Sequence, residues 1–208
     1  MKFKFFSFLI VLIFTGYTVV YAQLGIKGGV NLASEIKSLN SSEIIAGVNA
    51  SNLTGYQIGL VYQAMPKKSG LGVEIGALLS QKGSVIDSTN LDYSIKQGYR
   101  ELNYIEVPLN LRYHISIGFI GFYGFGGVYG GYELNGKVVD EIVGTTQDET
   151  FQTFMDHVDY GYNLGAGVEL FRKVQLGATW SQGVKNVSAS GITPGTNRVL
   201  SVNLVYLF

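Results

Sequence analysis

The stretch YIEVPLNLRY, residues 104–113, shows the alternation that decides the fold of this chain. Apolar side chains occupy every second position, and polar side chains occupy most of the positions between them. Successive side chains of a β-strand point to opposite faces, so a strand would separate the two sets. The apolar face would hold Ile105, Val107, Leu109, Leu111 and Tyr113, and the polar face Glu106, Asn110 and Arg112. This pattern predicts a strand with one face suited to lipid and the other to water.

The same alternation recurs farther along the chain, in residues 158–171, 173–184 and 198–208. In each segment, aliphatic and aromatic residues alternate with small, polar or acidic residues. A tilted strand needs about 9–11 residues to cross a bilayer, and these segments are long enough to do so. The pattern therefore predicts membrane-crossing strands.

The connections between the predicted strands alternate in length. Long connections cover 35–52, 83–98, 133–157 and 185–197, whereas 65–69, 116–118 and the region of Arg172 are short. A barrel with both termini in the periplasm has tight turns on that side and longer loops outside. We therefore predict an all-β fold, an eight-stranded antiparallel up-and-down transmembrane β-barrel. Its predicted strands are 25–34, 53–64, 70–82, 99–115, 119–132, 158–171, 173–184 and 198–208.

Residues 1–22 have the pattern of a secretory signal peptide. Positive charge from Lys2 and Lys4 precedes a long apolar stretch, and the string Val-Tyr-Ala that ends at Ala22 is a cleavage site of the small-x-small type. The alternative is an uncleaved anchor, but the apolar stretch is shorter than the roughly 20 residues of a membrane span. We expect cleavage after Ala22, which leaves residues 23–208 as a single outer-membrane barrel domain.

Charge and composition exclude several classes of protein. The chain has 15 Lys and Arg and 15 Asp and Glu, so no basic excess indicates a nucleic-acid partner. It contains no Cys, which excludes disulfides, thiolate metal sites and a lipid-modified cysteine. The 28 Gly, 14 Tyr and 12 Phe, against 3 Pro, favour aromatic-rich strands over a helical bundle.

A soluble eight-stranded barrel would also alternate, but with its apolar side chains inside. The C-terminus favours the membrane alternative. Leu204, Tyr206 and the last residue, Phe208, stand at alternate positions, as in the C-terminal signature by which outer-membrane barrels are recognised for insertion. We predict a location in the cell outer membrane of a Gram-negative bacterium. The expected partners are outer-membrane lipid and lipopolysaccharide, and the barrel-assembly machinery acting through the C-terminal strand.

The string YIEVPLNLRY resembles the hallmark strand of the PorT-like outer-membrane β-barrel family of Bacteroidetes-type bacteria. The strings LGIKGGVNLAS at 24–34 and DYGYNLGAGVEL at 159–170, and the terminal Phe208, are similar to the pattern of that family. The resemblance covers essentially the whole mature chain and implies an eight-stranded outer-membrane barrel. It carries no catalytic motif and implies no secretion role, because the matching residues are those that build the wall.

Five charged residues fall on the polar faces of predicted strands and would meet inside the barrel. An eight-stranded barrel is barely wide enough for side chains, and an isolated ion there costs several kcal/mol. Opposite charges are therefore expected to pair and plug the lumen; the alternative is an ion path lined by the same residues. The predicted network consists of Lys27, Glu74, Glu106, Arg112 and Glu169.

Pro108 interrupts the predicted strand 99–115, because proline has no N–H to donate to a neighbouring strand. A closed barrel has no edge strand in which proline could be accommodated. We therefore expect a bulge or a locally broken ladder near Val107 to Leu109, with a structural rather than a functional meaning.

The sequence offers little for catalysis or metal binding. Its two histidines, His114 and His157, are expected at a solvated rim, since no Ser/His/Asp or two-histidine spacing lies on one strand face. Acidic residues near the third long connection could attract divalent cations, but a plain solvated loop is preferred. We predict no enzyme activity, no cofactor and no metal site. The acidic residues concerned are Asp140, Glu141, Asp148, Glu149 and Asp156.

The predicted role is that of a small structural or interaction barrel whose wall anchors exposed loops. Residues 133–157 are the best candidate for contact with an unknown extracellular or periplasmic protein. One alternative is a transport- or secretion-associated component, which would co-purify with periplasmic or membrane partners. The other is a barrel-based lipid-modifying enzyme, which would need a nucleophile and a base near the rim.

Overall fold

The computed structural model describes residues 20–37, 48–66, 69–88, 97–140, 145–148, 157–185 and 195–208. Nearly all of these residues lie in antiparallel strands. The strands are β1 (Val20–Lys37), β2 (Val48–Pro66), β3 (Gly70–Ser88), β4 (Gln97–Ile117), β5 (Ile120–Asp140), β6 (Thr145–Asp148), β7 (Val158–Leu170), β8 (Val174–Gly183) and β9 (Gly195–Leu207). All eight predicted strands are present. Three predicted loop bounds were wrong, because the strands extend farther toward the long connections: β2 begins at Val48 rather than at residue 53, β3 ends at Ser88 rather than at residue 82, and β5 continues to Asp140 and is followed by the short β6.

The strands close into a barrel. Pairing runs from β4 through β3 and β2 to β1, which pairs with β9, and continues through β8 and β7 to β5. Strand β5 in turn pairs with β4 and completes a ring of eight strands, while β6 pairs with the end of β5 outside the ring. The prediction of an eight-stranded antiparallel up-and-down barrel is confirmed.

The strand register gives the barrel a steep stagger. Paired positions that start at Glu106 of β4 pass round the ring through Lys27 and Glu169 and return to β4 at Ser116, an offset of ten residues. Closure with such a stagger requires the strands to tilt against the barrel axis, typically by about 35–45°. Side chains far apart in sequence therefore reach the same level of the interior.

The short turns and the two described termini share one end of the barrel. Gly118 and Phe119 connect β4 to β5, and Gly118 has a φ of +66°, a left-handed conformation that glycine adopts without steric penalty. Phe171 and Arg172, between β7 and β8, have φ values of 53° and 60°, which are uncommon for residues with a side chain. The strand ends that lead into the long connections lie at the opposite end of the barrel, which confirms the predicted alternation.

The wall is apolar outside and polar inside. On β7, Tyr160, Leu164 and Val168 point outward, whereas Asp159 and Asn163 point inward. Leu164 is 54% exposed and Asp159 is 0% exposed. These faces are the reverse of those of a soluble barrel, and they match the faces read from the sequence.

Pro108 lies within β4 and interrupts its pairing with β3. The paired positions run to Ile75 opposite Leu109 and resume at Leu78 opposite Glu106, without a change of register. The locally broken ladder predicted around Pro108 is therefore present, and no bulge accompanies it on this side of β4.

Most of the predicted export segment, residues 1–19, lies outside the described residues. Strand β1 begins at Val20 and so includes the position predicted for cleavage, after Ala22. Within the described ranges, no helix has the length and the hydropathy of a membrane span.

Candidate functional site

The interior of the barrel is lined by polar and charged side chains that form two clusters at different levels. The turn-side cluster, near the short turns, consists of Gln63, Glu74, Asn110, Arg112, His114, Glu169 and Gln175. The loop-side cluster, nearer the long connections, consists of Lys82, Tyr104, Glu106, Tyr129, Glu133, Asp159 and Asn197. All five residues of the predicted network point inward and are buried: Lys27, Glu74, Glu106, Arg112 and Glu169.

Glu74 is the central carboxylate of the turn-side cluster. The Arg112 guanidinium forms an ion pair with Oε2 of Glu74. Gln63 donates from Nε2 to the same oxygen at 2.7 Å, and Asn110 donates from Nδ2 to Oε1 at 3.1 Å. Hydrogen bonds to both carboxylate oxygens, together with a paired cation, compensate for the loss of water around this buried charge.

Gln175 of β8 links Glu74's partners to Glu169. Its Oε1 accepts hydrogen bonds from Nη2 of Arg112 at 2.8 Å and from Nε2 of Gln63 at 3.0 Å. Its Nε2 donates to Oε2 of Glu169 at 2.6 Å. One neutral side chain thus connects the acid on β7 to the arginine on β4.

His114 adjoins this cluster, and its position corrects the predicted solvated rim. The side chain is 3% exposed, and Nε2 lies 3.1 Å from Oε1 of Glu169. It faces inward because it continues the alternation of Asn110 and Arg112 along β4. His157 is half-buried and stacks on Tyr132, with ring centroids 5.4 Å apart.

Aromatic rings fill the space beside Arg112. The guanidinium carbon lies 3.6 Å from the ring centroid of Tyr123 and 5.9 Å from that of Phe125, which are cation–π distances. The Phe125 ring lies against Gly165, where a Cβ would come within 2.6 Å of Cε1 of the ring. Glycine at this position therefore gives the ring its place inside the barrel.

Lys82 is the central cation of the loop-side cluster. Its ammonium lies 2.6 Å from Oε1 of Glu106 and 3.2 Å from Oδ2 of Asp159. It also lies 5.0 Å from the ring centroid of Tyr104 and 4.4 Å from that of Tyr129. The lysine thus has carboxylates and aromatic faces in place of water.

Asp159 gathers further donors in this cluster. The hydroxyl of Tyr129 donates to its Oδ2 at 3.2 Å, and Nδ2 of Asn197 donates to the same oxygen at 3.0 Å. On the other side, the hydroxyl of Tyr104 donates to Oε2 of Glu133 at 3.3 Å. The loop-side cluster therefore spans the interior from β3 to β9.

The outer wall changes from apolar to polar at the level of this cluster. On β4 the outward side chain that follows Ile105 toward the loops is Asn103, whose Nδ2 donates to Oδ1 of Asn135 on β5 at 2.8 Å. The register between β4 and β5 shifts at the same level, between Asn103 and Tyr104. The ends of β4 and β5 thus extend beyond the apolar part of the wall.

A cavity of about 30 Å³ lies between the two clusters. Lys82 and Glu106 line it from the loop side and Asn110 lines it from the turn side, and Lys27 and Asn163 are among its other lining residues. This volume has room for one or two water molecules.

The structure brings together only part of the predicted network. Glu74 and Arg112 are in direct contact, and Glu169 joins them through Gln175. Glu106 belongs to the other cluster. Lys27 lines the cavity between the two clusters.

Several interior residues were missed from the sequence although the signal for them was present. Lys82 lies at an even-numbered position of β3, on the same face as Glu74, and Asp159 lies on the same face of β7 as Glu169. The alternation of side-chain direction along each strand is enough to place Lys82 and Asp159 inside the barrel. The partners Gln63 and Gln175 carry no charge, and only the register shows that they meet.

The residues of the predicted C-terminal signature all lie on the outward face of the last strand. Leu204 and Tyr206 are exposed on β9, and Phe208 follows it. The ring of Tyr206 meets that of Phe208 edge to face, with centroids 5.7 Å apart, and the amide of Phe208 donates to the carbonyl of Leu24 at 2.9 Å.

The described residues contain no group of three or more His, Cys, Asp or Glu that could hold a metal ion. The acidic residues near the third long connection are described only in part. Glu141, Glu149 and Asp156 lie outside the described residues, and only the backbone of Asp140 and Asp148 is described.

A family model described as outer membrane protein beta-barrel domain matches residues 16–189. A comparison with curated protein sequences found no match.

Several solved outer-membrane proteins have a similar fold. The attachment invasion locus protein Ail of Yersinia pestis is 14% identical, with 90% of this chain and 99% of that chain covered and a TM-score of 0.45. Neisserial surface protein A is 10% identical, with the same coverages and a TM-score of 0.47. OprG from Pseudomonas aeruginosa is 16% identical, with coverages of 91% and 97% and a TM-score of 0.47.

Proposed function

The chain belongs to the outer membrane protein beta-barrel domain family, and on that premise we propose that it is a small interaction barrel with a closed lumen and no catalytic role. It is located in the outer membrane. Within the broader family, the strand at 104–113 supports assignment to the PorT-like group, with no secretion role implied.

The observation that carries the closed lumen is the presence of two ion-paired clusters at separate levels of one narrow barrel. Lys82 with Glu106 and Asp159 occupies one level, and Arg112 with Glu74 occupies the other. Eight strands leave an interior just wide enough for side chains to fill. Removing one partner of a buried ion pair is strongly unfavourable, so spontaneous opening of both levels would be rare.

Recording from planar lipid bilayers tests the closed lumen. Purified, folded protein is expected to give no steady current steps at moderate voltage. Eight-stranded barrels with unpaired interiors and larger porins serve as controls for incorporation and for conductance. Discrete, reproducible openings of the protein would contradict the closed lumen.

The polar extension of the wall supports an interaction role on the loop side. Strands β4 and β5 continue past the Asn103–Asn135 contact to Gln97 and Asp140, and β6 pairs with the end of β5. A sheet that continues beyond the apolar wall would present the connection after β5 on a firm support. Loops on a rigid scaffold are common binding elements, and we assign partner contact to residues 133–157.

Deletion within this segment tests the interaction role. Replacing residues 141–156 by a short Gly-Ser linker keeps β5 and every pairing of the ring. Cross-linking on intact cells would compare the proteins captured by the deletion variant and by the wild type, with heat-modifiable gel migration as the control for folding. Unchanged capture by a folded deletion variant would rule out this segment as the contact.

The proposal also covers how the first residues and the last strand serve export and membrane insertion. We propose cleavage after Ala22, which would leave Leu24 and Gly25 in place to pair with Tyr62 and Leu207. We also propose that the barrel-assembly machinery recognises the outward residues of β9. Intact-mass measurement of the protein from outer-membrane fractions tests the first step: a chain that still begins at Met1 would exclude cleavage.

A further inference from the structure

The outer wall of β8, β9 and β1 changes from apolar to polar between two neighbouring rows of paired residues. In the last apolar row on the loop side, Leu200 is paired with Trp180 and with Leu32, and both leucines are exposed. The next row lies two residues farther along each strand, on the same face. We call it the polar row, and it consists of Gln182, Arg198 and Ser34.

Arg198 lies at the boundary of the apolar wall. It precedes Phe208, at the turn end of the barrel, by ten positions. With a rise of about 3.4 Å per residue and a tilt of about 40°, this separation is about 26 Å along the barrel axis. The apolar band of an outer-membrane barrel is about 25 Å tall. The exposed side chain of Arg198 therefore begins where the acyl chains end and the lipid headgroups start.

Gln182 holds the guanidinium of Arg198 by one edge. Oε1 of Gln182 accepts a hydrogen bond from Nε of Arg198 at 3.2 Å. Nε2 of Gln182 donates to Oγ1 of Thr196 at 3.2 Å and to the carbonyl of Gly183 at 3.1 Å, so the buried amide is fixed from both sides. The contact with Arg198 engages Nε and does not use the two Nη groups, which carry four of the five N–H donors of the side chain.

The charge of Arg198 is not balanced by its neighbours in the sheet. Both residues paired with it, one on β8 and one on β1, are neutral. A second basic residue on the loop side, Lys137 of β5, is paired with Glu101 on β4 and with Asp148 on β6. Two exposed cations at the same end of the barrel thus differ in their surroundings, and an anion would be attracted to Arg198 more than to Lys137.

Hydroxyl groups lie on both sides of Arg198. Ser34 is paired with it on β1, and Thr196 lies two residues farther along β9 on the same face. Because the oxygen of Thr196 accepts from Gln182, its O–H can donate to another acceptor. A guanidinium fork beside hydroxyl donors matches the oxygens of a phosphate group, which arginine binds through two parallel N–H donors.

We propose that Arg198, with Ser34 and Thr196, binds a phosphate group of lipopolysaccharide in the outer leaflet. This lipid carries its phosphates on the sugars that join its acyl chains, and the polar row lies at that level. Its acyl chains would pack on Leu200 and Trp180 directly below, which favours a lipid phosphate over a free phosphate ion. The proposal goes beyond the proposed function, because it gives the wall a specific lipid site and requires neither a closed lumen nor contacts of residues 133–157.

Native mass spectrometry of the folded barrel, released from nanodiscs of phosphatidylcholine with a minor share of diphosphoryl lipid A, tests the site. The wild type is expected to retain one lipid A after phosphatidylcholine has dissociated. Arg198→Gln should retain it about tenfold less often, the loss expected for one charged hydrogen-bonding partner. Lys137→Gln removes the same charge and should retain lipid A as the wild type does. Equal retention by the two variants would overturn the proposal.

Lipid A from which both phosphates have been removed separates phosphate recognition from acyl-chain packing. The wild type should not retain this lipid under the conditions that preserve the diphosphoryl form. Equal retention of the two lipids would assign the contact to the acyl chains alone and would overturn the phosphate site. Heat-modifiable gel migration shows that each variant is folded before it is measured.

Trp180 provides a second readout, because it is the one tryptophan of the chain. It is a diagonal neighbour of Arg198 across β8 and β9, a relationship that brings residues within about 7–8 Å. Titration of the barrel in detergent micelles with diphosphoryl lipid A should shift the Trp180 emission in the wild type, and Arg198→Gln should need about tenfold more lipid. Inorganic phosphate at the same concentrations should leave the emission unchanged. A shift with inorganic phosphate would assign the site to a free anion and overturn the assignment to a lipid.

Discussion

The side chains of Gln63 and Gln175 meet across the barrel interior and exchange hydrogen bonds, with both Nε2–Oε1 distances 3.0 Å. They belong to β2 and β8, which are separated in the ring by β1 and β9. This contact therefore joins parts of the wall that share no backbone pairing. The turn-side cluster braces the barrel from within as well as filling it.

We predict that Gln175→Met lowers the free energy of unfolding by about 1–3 kcal/mol, because Arg112, Gln63 and Glu169 all lose a buried partner. Urea titration in lipid vesicles, followed by heat-modifiable gel migration, measures the change. The neighbouring outward substitution Leu176→Met conserves volume and should change stability by less than about 1 kcal/mol. Equal effects of the two substitutions would contradict the bracing role.

Arg112→Met should destabilise the barrel by about 3–5 kcal/mol, because Glu74 then keeps a buried charge without its cation. Adding Glu74→Gln removes that charge and should restore part of the loss. A double-mutant cycle measures the coupling between the two residues. Additive effects would show that the ion pair contributes nothing of its own.

Conductance should require disruption of both clusters. A variant with Glu74→Ser and Arg112→Ser keeps the loop-side cluster and should remain silent in planar bilayers. Adding Lys82→Ser and Glu106→Ser removes the second barrier and should give discrete openings. If the variant with only Glu74→Ser and Arg112→Ser already gave openings, the loop-side cluster would not close the lumen.

Arginine substitutions on the outer face test the depth of the apolar wall. Leu164→Arg places a charge on the outward face of β7 and should cost about 2–4 kcal/mol, as for charges near the bilayer midplane. Asn103→Arg, at the polar level of β4, should cost at most about 1 kcal/mol. Urea unfolding in vesicles measures both. A similar cost at the two positions would contradict the placement of the wall.

Removal of Phe208 should slow insertion more than it lowers stability. The side chain is exposed at the end of the last strand and contacts Tyr206, and its removal costs the folded wall one backbone hydrogen bond, that to Leu24. Pulse–chase assembly in cells, read by heat-modifiable migration, should show delayed folding for the deletion and near-normal folding for Phe208→Tyr. Normal assembly without Phe208 would exclude it from recognition by the machinery.

The faces of the strands could be read from the sequence because side-chain direction repeats every second residue. Once YIEVPLNLRY was placed in a strand, Glu106 and Arg112 had to point to the same side. The number of strands followed from the same repeat and from the lengths of the connections. The level of a side chain along the barrel axis cannot be read from this repeat, because it depends on the stagger of the whole ring.

Stagger explains where the predicted network and the observed clusters differ. Glu106 and Arg112 are six residues apart on one face, yet they belong to different clusters, because the residues that meet each of them come from other strands. Lys27 lines the cavity between the two clusters. The bulge expected at Pro108 was one of two ways to accommodate a missing N–H, and sequence does not choose between them.

Strands β1 and β9 pair from Gly25 opposite Leu207 to Lys37 opposite Gly195, so the seam of the cylinder joins the first and last strands of the chain. A polypeptide that stops short of β9 would leave β1 and β8 each with one edge that has no backbone partner. Closure of the ring therefore has to wait until the whole chain has been synthesised and delivered to the membrane.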